Sequence, residues 1–165
     1  MNERDWVDWI VIAASILSSC SIIMTIIVYV WQKKDNRKLE SQKEVTELNS
    51  LKMKLKISVD DFELYLIKAK GFLYINDANK SIEQLGNINF DLMKACLHDS
   101  SKIDAMLFNL ILNLTKTAIE EVKLIEKTIT KKLDNDSFSY RNTIKYCDAS
   151  ISKINSMYEL IEEYQ

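Results

Sequence analysis

The chain has 165 residues, no proline, only two glycines and a formal net charge of −2. So few turn-formers exclude a sheet-rich fold, which needs them at its corners. The near-neutral charge gives no electrostatic footprint for a nucleic-acid partner.

Residues 1–8 carry Glu3, Asp5 and Asp8 against the single basic Arg4. They read as a short extracytoplasmic N-terminus. Residues 9–31 follow as WIVIAASILSSCSIIMTIIVYVW, with no charge, no proline and no glycine. At a helical rise of 1.5 Å per residue this run reaches about 33 Å, enough for a hydrocarbon core of about 30 Å. It is expected to be one transmembrane helix. Trp6, Trp9, Tyr29 and Trp31 stand where aromatic side chains meet the two interfaces. Lys33, Lys34, Arg37 and Lys38 follow the run with Asp35 as the one nearby acid. The excess of Lys and Arg predicts that the C-terminal side is cytoplasmic, at the cell (inner) membrane. Asp8 is expected to be a hydrated interfacial carboxylate.

Two processing signals are weighed against this topology. A cleaved signal peptide has a basic start and an apolar core of about 7–15 residues; here the start is acidic and the core longer. Leu17-Ser18-Ser19-Cys20 resembles a lipoprotein cleavage box, yet the apolar run continues beyond Cys20. Inside the run, Ala14, Ser18, Ser21 and Thr25 recur at helical spacing. Such small and weakly polar faces let helices approach closely in lipid, which predicts a self-association face and a homo-oligomer. The simpler alternative is that the hydroxyls bond their own backbone carbonyls.

Residues 32–44 have Leu39 as their only large apolar residue and read as a basic, polar helical stalk. Residues 45–165 carry helix-period patterning. Leu48, Leu51, Leu55, Phe62 and Leu66 keep one face, reinforced by Val45, Val59 and Leu73. Met53, Ile57, Leu64 and Ile67 make a second stripe, which predicts more than one neighbour for this helix. Gly71 within it costs about 1 kcal/mol relative to alanine and marks a candidate close crossing. Asn76-Asp77 supplies a turn and an N-cap. The next face is Ala78, Ile82, Leu85, Leu92 and Cys96, with a break expected at Gly86-Asn87 and a restart near Asn89. The stretch from His98 to Ser101 reads as a turn, with Asp99 or Ser100 capping the following helix.

That helix shows Ile103, Leu107, Leu110, Leu114, Ala118, Val122, Ile125, Ile129 and Leu133 along one face. Glu120, Lys123 and Glu126 decorate the other side. Asp134 to Ser137 is the next turn, with Asp136 or Ser137 as cap. Tyr140, Ile144, Cys147, Ile151, Ile154, Tyr158 and Ile161 then alternate by four and three, a narrow coiled-coil-like seam. Short connections favour antiparallel neighbours. The expected fold is therefore all-α: a single N-terminal transmembrane helix, a polar stalk and an antiparallel four-helix cytoplasmic bundle.

Chemistry is sparse. Cys20, Cys96 and Cys147 are odd in number and far apart, so no disulfide framework or metal motif is expected, as suits a reducing cytoplasm. His98 is the only histidine. A nucleophile–base pair with Cys96, Ser100, Ser101 or Cys147 is weighed against Cys96 as a core residue and His98 as a surface or capping group, and the latter is preferred. One histidine and scattered cysteines do not supply three or four metal ligands. The two glycines are too far apart for a phosphate loop. Glu120-Glu121 and Glu162-Glu163 read as solvated carboxylates. Tyr140, Tyr146, Tyr158 and Tyr164 could stack on a nucleotide, but seam packing is preferred for Tyr140 and Tyr158. No cofactor, metal or catalytic residue is predicted.

The expected partners are the lipid bilayer, a second copy and a cytoplasmic protein. The leading expectation is a non-enzymatic anchor, scaffold or sensor. The alternative is a membrane-permeabilising effector of a toxin or phage-defence type that oligomerises through its span. An outward-facing phage coiled coil would need the opposite orientation. The Ile-, Lys- and Asn-rich usage points to an AT-rich bacterial or phage genome.

Overall fold

A computed structural model of the chain describes residues 3–134 and 139–164. All regular structure among them is α-helical. The elements are α1 (Glu3–Tyr74), α2 (Ala78–Gly86), α3 (Asp91–Ser100), α4 (Ala105–Asp134) and α5 (Arg141–Glu162). The chain divides into two compact units, Met1–Val45 and Thr46–Gln165.

The first unit is the N-terminal part of α1. With no proline and no glycine here, nothing interrupts the backbone ladder. The stretch that follows residue 31 is helical, as its Lys-, Arg- and Glu-rich composition favours.

The second unit is organised by periodicity. On α1, Leu51, Leu55, Val59, Phe62, Leu66 and Leu73 are buried at spacings of three, four and seven. Leu48 is half-buried, whereas Val45 is exposed and adds nothing to this face. The second stripe departs from expectation. Met53, Ile57, Leu64 and Ile67 are 45–68% exposed, so α1 packs by one face only within its own chain. Gly71 is not a close crossing either, since a Cβ placed there would meet nothing within 4 Å.

The connections show why the helices stop where they do. α1 ends before Asn76, which takes a left-handed φ of 59°, a conformation asparagine tolerates better than most residues. The amide of Asp77 donates back to the Phe72 carbonyl at 2.9 Å, satisfying an end-of-helix acceptor. Asp77 then caps α2, its carboxylate accepting from the Lys80 amide at 3.1 Å. α2 stops at Gly86, where the break was expected, and α3 begins two residues after Asn89, whose side chain accepts from the Asp91 amide at 2.8 Å.

Two local expectations are corrected here. On α3 Met93, with Cys96, is fully buried, whereas Leu92 is only half-buried. The segment expected as a turn from His98 is still helix up to Ser100, so neither Asp99 nor Ser100 caps α4. The cap is Asp104, whose Oδ2 accepts from the amides of Met106 at 2.7 Å and Leu107 at 3.1 Å. Of the turn expected at Asp134 to Ser137, Asp134 still belongs to α4, and the rest, with its cap at Asp136 or Ser137, lies outside the described residues.

α4 packs against α5, α3 and α2. Leu107, Leu114, Ala118, Ile125 and Ile129 of α4 are completely buried, and Leu133 at its end is exposed. Tyr140, just before α5, and Ile144, Cys147, Ile154, Tyr158 and Ile161 of α5 enter the same core, with Ile151 half-buried. Each fully buried aliphatic side chain contributes about 1.5–3 kcal/mol relative to exposure, against the entropy of ordering the chain.

Polar contacts pin α1 to its neighbours. The Lys52 ammonium donates to the carbonyls of Glu162 at 2.8 Å and Tyr164 at 2.5 Å, where the partial negative charge at the end of α5 favours a cation. Asn155 donates to Glu63 at 3.1 Å, and Lys70 pairs with Asp148 at 2.5 Å. The carboxylate of Asp148 raises the pKa of Lys70, against the opposing effect of burial. Lys54 meets Asp99 of α3 at 3.0 Å and holds that carboxyl below its ordinary value.

Candidate functional site

In the first unit, every residue from 9 to 31 is exposed, and the large ones are apolar. Ile16, Leu17, Ile22, Ile23 and Ile26 are more than half exposed on a helix that buries none of this window. Exposed patches on soluble monomers run to a few hundred Å², and a continuous apolar sleeve of about six helix turns exceeds that by far. This is the one helix among the described residues long and apolar enough to cross a membrane, by length and composition. Trp6, Trp9, Tyr29 and Trp31 are all exposed near its ends.

Ala14, Ser18, Ser21 and Thr25 are exposed as well. The Thr25 hydroxyl donates to the Ser21 carbonyl at 2.9 Å, and Ser15 and Ser19 donate in the same way to Val11 and Ser15. Three hydroxyls in this segment therefore bond their own helix and are satisfied without a partner helix.

Beyond the apolar run the basic residues are not spread evenly. Val30, Lys33, Lys34, Arg37, Lys38 and Ser41 line a single shallow depression of about 430 Å³. Their spacing of three, one, three, one and three is one helix face. Four cations on one face form a surface suited to the phosphate groups of anionic lipid, at about 1 kcal/mol each near a charged membrane. Linear spacing had identified these residues but not their one-sidedness.

In the second unit the sequence-based chemistry dissolves. His98 is exposed in the last turn of α3. Cys96 and Cys147 are fully buried, and burial pushes both thiols up to about 11, away from reactive thiolate. Tyr140 and Tyr158 pack in the core as expected. Among the described residues no group of three His, Cys, Asp or Glu side chains is placed to hold a metal.

The one polar centre that spacing missed is Glu121. It was expected to be solvated like Glu120, yet it is only 7% exposed. Its Oε2 accepts from the Tyr146 hydroxyl at 2.5 Å and the Ser150 hydroxyl at 2.8 Å, and its Oε1 from Lys153 at 2.6 Å. Burial alone would push this carboxyl up; the hydrogen bonds from Lys153, Tyr146 and Ser150 together outweigh it and hold it below the usual range. Burial and the bond to Glu121 push Tyr146 up to about 12. All four groups use their polarity on one another across α4 and α5, so the cluster works as an internal clasp. Tyr164 makes a similar clasp, donating to Asp104 at 2.7 Å, which lowers the Asp104 carboxyl together with the Leu107 and Met106 amides.

In both centres the polar groups are spent on one another, and Tyr146 also lines a shallow depression of about 400 Å³ with Leu124, Thr128, Lys132, Asn142 and Thr143. The segment that asks for a foreign environment is the apolar run with its basic flank. The chain matches no protein-family profile, and neither the curated proteins nor the solved structures include a significant match to it.

Proposed function

We propose that the protein is a single-pass membrane protein, inserted through residues 9–31, whose helical unit 46–165 is held on the cytoplasmic side. There it serves as an anchor, scaffold or sensor through protein contacts rather than through catalysis. The observation that carries this reading is the fully exposed apolar run closed at its C-terminal end by a one-sided basic face. An apolar sleeve of that length is unfavourable in water and favourable in hydrocarbon. The Lys and Arg excess after it supports the cytoplasmic orientation.

The helical unit is read as an antiparallel four-helix bundle whose second arm is divided into α2 and α3. Support comes from polar pairs between α1 and α5. Residues 52, 63 and 70 meet residues 162, 155 and 148, so numbers rise on one helix as they fall on the other.

The test is alkaline carbonate extraction of membranes from cells making the full chain or a chain lacking residues 9–31. The full chain stays in the pellet and the deleted chain moves to the supernatant. Release of the full chain by carbonate overturns the proposal.

The membrane-permeabilising alternative would draw on the hydroxyl-bearing face of the span. The self-bonded Thr25 hydroxyl favours the anchor reading, because that group is already satisfied without a pore partner or water column. Entry of a membrane-impermeant dye on expression would favour the alternative.

A further inference from the structure

The outward face of α1 between Met53 and Tyr74 has no counterpart within the chain. Met53, Ile57, Asp60, Leu64, Ile67, Gly71 and Tyr74 are all exposed. They alternate by four and three without a miss, the spacing of a coiled-coil seam. The core face of the same helix (Leu51, Leu55, Val59, Phe62, Leu66, Ala69 and Leu73) lies roughly 160° away around the axis at 3.6 residues per turn. Five of the seven outward positions are apolar. Scattered surface hydrophobics are ordinary, but an ordered heptad stripe opposite the core is a second packing face.

The charges beside the stripe identify what fits it. Taking Ile57 and Leu64 as a positions and Met53, Asp60 and Ile67 as d positions, Lys56 and Glu63 fall at g, and Asp61 and Lys68 at e. In a parallel pair of helices, g of one copy meets e of the next heptad on the other. That places Lys56 against Asp61, a complementary pair repeated by symmetry; Glu63 faces Lys68 in the same register but is half-buried and already accepts from Asn155 of its own chain. Lys56, Asp61 and Lys68 are exposed. The neighbouring e and g lysines, Lys54 and Lys70, are instead engaged by Asp99 and Asp148 of their own chain. The face is thus self-complementary in charge as well as in apolar spacing.

We propose that two copies of this chain associate in parallel and in register through the outward face of α1, residues 53–74. The inference rests on the membrane-span reading in one respect. Copies inserted by the same segment with the same orientation present this face with the same polarity, and confinement to one membrane raises their effective concentration. A seam of about three heptads is short for a free coiled coil and sufficient when tethered. Asp60 at a d position sets two like charges face to face, which keeps the association reversible and favours register over strength. The resulting interface is isologous and closes at two copies.

The experiment uses the full chain in native membranes with Cys20→Ser, so that Cys96 and Cys147, both buried, are the only native thiols left. Met53→Cys and Tyr74→Cys are introduced separately and oxidised with copper phenanthroline. Each is expected to form a disulfide-linked dimer, whereas Lys127→Cys on the exposed side of α4 does not. Dimer yield at position 53 falls about tenfold with Lys56→Glu, which turns two attractive pairs into two repulsive ones. It recovers when Asp61→Lys is added, and rises with Asp60→Asn. Cross-linking at 53 and 74 no greater than at 127 overturns the proposal, as does a charge reversal without effect or a cross-linked product of another mass. Carbonate extraction of the same samples reads the membrane proposal separately: chain in the pellet without cross-links refutes the seam alone, and chain in the supernatant refutes the span alone.

Discussion

Glu121→Ala is the sharpest probe of how the helical unit is held together. The substitution removes the acceptor shared by Tyr146, Ser150 and Lys153. Ser150 is only 1% exposed, so its hydroxyl is left with no water to replace the carboxylate. A buried polar group stripped of its partner costs about 1–3 kcal/mol, and hydrogen bonds to a charged acceptor are worth about 1.5–3 kcal/mol. Lys153, whose side chain is 56% exposed, turns back to solvent and loses little. The expected destabilisation is about 2–4 kcal/mol, or roughly 10 °C in the thermal midpoint of a unit of this size. Glu121→Gln keeps one acceptor for the two hydroxyls and loses about half as much. Lys153→Met leaves the buried carboxylate without its cation and costs about 1–3 kcal/mol, less than Glu121→Ala.

The clasp also has a pH signature. The unfolded carboxyl titrates near 4.5 and the folded one lower, so near that pH the unfolded chain binds more protons. The Glu121 contribution is fully present above that value and is lost as pH falls through the folded pKa. Circular dichroism melts of the full chain in detergent between pH 3 and pH 7 give both readings. In the Glu121→Gln variant the acid-dependent loss is correspondingly smaller. A Glu121→Ala midpoint within about 1 °C of the parent, or a larger loss from Lys153→Met than from Glu121→Ala, would refute the reasoning.

Three further outcomes follow from the same contacts. Leu114→Asp puts a charge at a completely buried position of α4 and should unfold residues 46–165, read as rapid trypsin cleavage there while the parent resists. Asp104→Ala removes the cap of α4 and the acceptor of Tyr164, and should lower the melting midpoint by less than Glu121→Ala does. Ser18→Leu with Ser21→Leu closes the small-residue face of the span; if that face mediates contact between copies, cross-linked oligomers in detergent should decrease, and an unchanged ladder assigns oligomers to α1 beyond the span.

Much of the fold was legible because period carries burial. The seam of α5 and most of the long face of α4 came directly from spacing, although Ile111 is fully buried where Leu110 was expected, and the absence of proline and near absence of glycine announced an all-helical chain. The break at Gly86-Asn87 was legible from the residues that favour turns. Two kinds of feature were not. Met53, Ile57, Leu64 and Ile67 show the spacing of a packed face, but spacing does not say whether the neighbour belongs to the same chain. Glu121 differs from Glu120 only by its angular position on α4, and its burial depends on Tyr146, Ser150 and Lys153 arriving from a helix more than twenty positions on. The α4 cap was misassigned because Asp99, Ser100 and Asp104 all carry capping side chains; Asp104 wins since α3 continues through Ser100.

The candidate site followed the same logic. The apolar run and its cations were evident from composition, and the one-sided placement of Lys33, Lys34, Arg37 and Lys38 emerged only on the helix.

The proposed function requires the helical unit to lie on the cytoplasmic side. A cleavable epitope fused after Gln165, with external protease applied first to intact cells and then to inverted membrane vesicles, tests this most directly. The predicted result is protection in intact cells and loss of the epitope in the vesicles. Cleavage from outside intact cells would contradict it.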